Sequence, residues 1–108
     1  MTPEERFADL VEALLAYPEV TPPSESGREF GSNALKVKGK IFAMLVRGSL
    51  VVKLPAPRVA ALIASGEGGP FDAGKGKPMR EWLSVSATSR LEWQPVAEEA
   101  MDFVGAKR

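Results

Sequence analysis

The chain is 108 residues long, with 14 Lys or Arg against 14 Asp or Glu and neither His nor Cys. That length makes one domain around one core; missing Cys excludes disulfides, thiolate ligands and a thiol nucleophile, and missing His removes the commonest general base and metal ligand. No run approaches the ~18 apolar residues of a bilayer span, and a pI near 6.3 argues against bulk nucleic-acid binding.

In chain order, Thr2-Pro3-Glu4-Glu5 marks a helix start, with Thr2 as cap, Pro3 in the first turn and Glu5 where a capping box places a carboxylate. Phe7, Leu10, Val11, Leu14 and Leu15 then form one apolar stripe, and Pro18 ends the helix at about Tyr17. The same acidic opening lacks a basic and an apolar region, so no secretory leader is expected and a cytoplasmic location is the default. Residues 20–31 are rich in Pro, Ser and Gly and predict a linker, with 21–31 a flexible loop.

Asn33 to Lys38 alternates, Leu35 and Val37 on one side and Lys36 and Lys38 on the other, which predicts a half-buried strand. Ile41-Phe42-Ala43-Met44-Leu45-Val46 has no polar position and predicts a strand covered on both sides. Lys38-Gly39-Lys40 and Arg47-Gly48-Ser49 supply tight turns around it, so the hexapeptide is expected in the middle of a meander completed by Leu50 to Leu54. Pro57 opens a second helix that turns Val59, Leu62 and Ile63 to the core and stops at Gly66. Residues 66–77 are irregular, with Phe71 as their anchor. Met79 to Val85 predicts a strand with Leu83 and Val85 on one face, paired with the Phe71 region. A closing helix runs from about Ser89 to Val104 with Val96, Ala100, Phe103 and Val104 as its stripe; Pro95 kinks it or starts its regular part, and 105–108 fray. The resulting fold class is α+β, of order α-β(3)-α-β(2)-α, an antiparallel sheet with helices packed against it.

Gly69-Pro-Phe-Asp-Ala-Gly74-Lys75-Gly76 falls one residue short of a phosphate-binding loop, because Gly76 stands where Ser or Thr must hold magnesium. It also follows a helix stop and precedes a strand, the reverse of the order such a loop needs. What remains is a Gly-rich turn that offers Lys75 and Lys77 to an anion, with Arg80 close behind. The carboxylate pairs Glu4-Glu5, Glu25…Glu29 and Glu98-Glu99 fall on exposed helix or loop positions and read as solvated charge. Trp82 and Trp93 suit core packing first and ligand stacking second, and Met44, Met79 and Met101 suit gap-filling. Residues 21–90 hold eleven Lys or Arg against five Asp or Glu, whereas both ends are acidic.

The string from Phe30-Gly31 through Lys38-Gly39 to Phe42-Ala43-Met44-Leu45, with the later Phe71…Gly76-Lys77-Pro78-Met79, resembles the TfoX N-terminal domain family, related to YjbR/MmcQ-like domains. The resemblance implies the same α+β order. TfoX-type proteins are associated with regulation of competence genes in bacteria, and the family brings no catalytic residues to carry over. The expectation is a non-enzymatic binding or regulatory module without cofactor or metal, contacting a protein or anionic ligand through Lys75, Lys77 and Arg80, with Lys53 and Trp82 in support. Nucleic-acid binding through the basic middle region is the alternative; no membrane partner is expected.

Overall fold

The computed structural model describes residues 2–22, 34–71 and 79–106. In chain order these form α1 (Pro3–Leu14), β1 (Val20–Thr21), β2 (Ala34–Val37), β3 (Lys40–Val46), β4 (Ser49–Lys53), α2 (Ala56–Ala64), β5 (Gly69–Pro70), β6 (Trp82–Val85) and α3 (Trp93–Ala106). The strands make one antiparallel sheet in the order β1-β2-β3-β4-β6-β5. The fold is α+β, and the apolar hexapeptide lies on β3, inside the sheet rather than at its rim. Among the described residues no helix is long and apolar enough to cross a membrane.

Local chemistry explains the hairpins. Lys38-Gly39 joins β2 to β3 and Arg47-Gly48 joins β3 to β4, all four with positive φ: 51°, 79°, 49° and 80°. Two-residue turns with positive φ at both positions match the right-handed twist of the strands they join. Gly takes such angles freely, whereas Lys38 and Arg47 adopt them at some cost in strain.

A β-bulge then divides the hexapeptide between two faces. Leu35 pairs with Ala43 and Lys36 with Ile41, which leaves Phe42 as the extra residue of β3. Phe42, Ala43 and Leu45 join one apolar cluster, and Ile41, Met44 and Val46 join another. All three helices contribute to the first cluster: Phe7, Leu10 and Leu14 from α1, Val59 and Leu62 from α2, and Trp93, Val96, Ala100 and Val104 from α3. The second cluster centres on Ala34, Met44 and Val51, with Phe71 and Trp82 packed against it. None of the three helices contributes to it, so this is the helix-free face of the sheet.

Several expectations shift in the folded chain. Val20–Thr21, read as linker, is strand β1, because buried Val20 pairs with Val37 and extends the helix-side cluster. The rest of the proposed 21–31 loop, apart from Pro22, lies outside the described residues. Helix α1 ends at Leu14, earlier than Tyr17, since the chain must turn there to bring Val20 into register; Tyr17 N–H closes that turn on Leu14 O at 3.0 Å. Gly105 and Ala106, read as tail, belong to α3. Pro95 sits in the first turn of α3, where its missing N–H has no intrahelical partner to lose. Ile63 and Met79, assigned to the core, are each 37% exposed. Lys38 does not share a face with Lys36. It occupies the turn, where its ammonium donates to Gly105 O at 3.0 Å and pairs with Glu19 at 3.5 Å.

Candidate functional site

The register of β4 and β6 places Lys53 directly opposite Trp82 on the helix-free face. Both side chains are half-buried. The Lys53 ammonium lies 5.6 Å from the centre of the Trp82 ring, within range of a cation–π contact. Phe71 meets the same indole at 6.5 Å between ring centres and 57° between planes, a tilted arrangement that aromatic rings favour. Two aromatic rings and an ammonium therefore share one corner of the sheet.

Backbone hydrogen bonds hold that corner in place. Met79 N–H donates to Phe71 O at 2.8 Å, Trp82 N–H to Met79 O at 3.1 Å, and Leu54 N–H to Glu81 O at 3.0 Å. The turn so closed carries Arg80 on its outside, exposed, with no ion pair among the described residues. Lys53 and Trp82, distant in sequence, thus meet at one end of β4 and β6, and Arg80 lies on the turn that leads into β6. Lys75 and Lys77 lie outside the described residues; the two residues bounding their segment, Phe71 and Met79, are the hydrogen-bonded pair beside Trp82.

The structure adds residues that sequence reasoning did not single out. Lys36 stands on the helix-free face, paired with Ile41, and its alternation with Leu35 and Val37 was the available signal. Phe71 anchors as expected, but to the helix-free cluster rather than the main core. Trp93 goes to the main core instead, 4% exposed, its ring under the Arg6 guanidinium at 4.4 Å and its indole N–H on Ser86 O at 3.4 Å. Arg6 also donates to Ala87 O.

Charge follows the same division of faces. The acidic groups of α1 and α3 lie in the helix layer, and the charged strand residues of the helix-free face, Lys36 and Lys53, are both cationic. Among the described residues three ionisation shifts are resolved, all on the helix side. Hydrogen bonds from the backbone and then the side chain of Thr2 lower the Glu5 carboxyl. The hydrogen bond to Glu98 and its charge raise the Tyr17 hydroxyl, and the bond to Glu99 raises Arg58. These shifts record a helix cap and two ties to α3. Among the described residues no group of three His, Cys, Asp or Glu is placed to hold a metal.

A hydroxyl-lined cleft of 860 Å³ runs between the end of α2 and the loop before α3. Several of its donors are spent on the loops that build it: Ser65 donates to Leu62 O and Ser89 to Glu67 O. No family model, curated protein or solved structure matches the chain.

Proposed function

We propose that this chain is a non-enzymatic binding or regulatory module, similar to TfoX N-terminal domains, that contacts a protein or other anionic ligand through the Arg80–Lys53–Trp82 corner. The observation that carries this reading is the Lys53 ammonium held 5.6 Å over Trp82, with Arg80 exposed on the adjoining turn. Positive charge beside a rigid aromatic surface suits carboxylates on an apolar body. Lys75 and Lys77, assigned to the same contact from the sequence, lie outside the described residues. The family reading rests on the residue strings quoted above and on the order of helices and strands.

The first test is fluorescence anisotropy with a labelled peptide of Glu and Ser as the anionic probe. The native chain is expected to bind it, and Lys53→Glu with Arg80→Glu is expected to weaken binding by about tenfold or more while the thermal melt stays in place. An unbound probe, or one bound equally by the variant, would overturn the assignment. A second reading draws on Trp82 and Phe71 lying on the same face as Lys36 and Lys53, a combination that suits single-stranded nucleic acid. That reading requires a labelled single-stranded oligonucleotide to outbind the Glu-Ser peptide, with steep loss in salt.

A further inference from the structure

An apolar groove of 470 Å³ lies beside Arg80, on the helix side of the turn that carries it. Its walls are Ala56, Ala60 and Ile63 of α2 on one side and Pro70 and Met79 on the other, with Arg80 at the rim as the charged lining residue among those described. Ile63 and Met79 are two of the few large apolar side chains left exposed among the described residues, 37% each, and both line this groove. Exposed apolar surface gathered in a concavity marks a place of contact rather than chance exposure. Met is an adaptable contact residue, and Arg is enriched at interfaces. The nearby Arg58 is already engaged with Glu99 at 2.8 Å, so the guanidinium available to a partner is that of Arg80.

We propose that this groove seats an apolar side chain of a partner protein whose neighbouring carboxylate pairs with Arg80. The inference rests on the anionic-partner reading above and adds to it the chemistry of recognition. The partner segment is acidic and apolar together, and the groove discriminates it from a merely acidic one. Burying one Leu-sized side chain should be worth about tenfold or more in affinity.

Three labelled probes test this: a Glu-Leu peptide, the Glu-Ser peptide and a Gln-Leu peptide. The full chain is expected to bind the Glu-Leu peptide about tenfold more tightly than either of the others. Ala60→Ser with Ile63→Ser should reduce Glu-Leu binding to the Glu-Ser level and leave Glu-Ser binding unchanged. Amide chemical-shift mapping on the unsubstituted chain gives an independent reading, with movement expected at α2 and at Met79 and Arg80. Equal binding of Glu-Leu and Glu-Ser peptides, or shifts confined to other elements, would overturn the groove assignment alone. Failure of the Glu-Ser peptide to bind at all would instead remove the anionic reading beneath it. Concentration-dependent self-association that the two Ser substitutions abolish would assign the groove to a second copy of the chain and also reject the proposal.

Discussion

Tyr17 is the single tyrosine of the chain, so its titration can be followed without overlap. Its hydroxyl donates to Glu98 at 3.1 Å, which raises it above its ordinary value of 10.0. A folded value above the unfolded one means that this contact's stability is complete below the unfolded value and is lost as pH rises through the folded one. Glu98→Gln should therefore lower the Tyr17 midpoint seen by ultraviolet absorbance; an unchanged midpoint would rule out the contact. Glu5 runs the other way. Its lowered carboxyl contributes above the unfolded value of 4.5, and the contribution is lost as pH falls through the folded value. Thr2 N–H donates to Glu5 at 2.9 Å and Glu5 N–H to Thr2 at 3.1 Å. Thr2→Ala should cost about 1 kcal/mol, measured by denaturant unfolding. Gly68 is constrained differently. A Cβ there would stand 2.5 Å from a Leu83 methyl inside the main core, so Gly68→Ala should cost about 1–3 kcal/mol.

Strand β3 shows how one element serves two faces. Without the bulge at Phe42, period-two alternation would leave Ala43 on the face opposite Phe42. With it, Phe42 and Ala43 both reach the helix layer, and Phe42 is fully buried. Phe42→Ala should therefore cost about 3–5 kcal/mol, the range for emptying a large core site; a loss under about 1 kcal/mol would mean that the side chain is not a core anchor. The α2–α3 tie is a contrasting case. Arg58 and Glu99 meet at 2.8 Å, but their side chains are 45% and 38% exposed, and exposed pairs contribute little. Arg58→Ala should shift stability by no more than about 0.5 kcal/mol in the same unfolding experiment. Helix α2 is held by Val59 and Leu62 in the core, not by that pair.

Taken whole, the chain places two of its middle-region cations on the face of the sheet opposite its acidic helices, while Lys38 and Arg58 pair with carboxylates on the helix side. Acidic α1 and α3 cover one side of the sheet, while Lys36 and Lys53 mark the other, so a net charge of zero conceals an asymmetric surface. If that asymmetry draws an anionic partner, affinity for the Glu-Ser probe should fall as ionic strength rises from about 0.05 to about 0.5 M, since screening shortens the reach of exposed charges. Binding insensitive to salt would point to apolar contact alone. The site itself was only partly legible in the residues. Arg80, Lys53 and Trp82 could be named as cationic or aromatic, but neither the meeting of Lys53 with Trp82 nor the presence of Lys36 on the same face as Lys53 could be read. Both depend on which strands pair and in what register.

Local rules were enough for everything whose cause lies within a few residues. The Thr2 cap, the two Gly-bearing turns, the strand nature of 41–46, the stop at Gly66 and the α+β order all follow from short-range sterics, hydrogen bonding and apolar spacing. Long-range packing settled the rest. It recruited Val20 into the sheet, left Ile63 and Met79 exposed around a groove, sent Trp93 to the core and Trp82 to the helix-free face, and set Lys53 over an indole some thirty residues away along the chain. These outcomes depend on strand register and on a single extra residue at Phe42, and no periodicity in the linear chain encodes where such a bulge will fall.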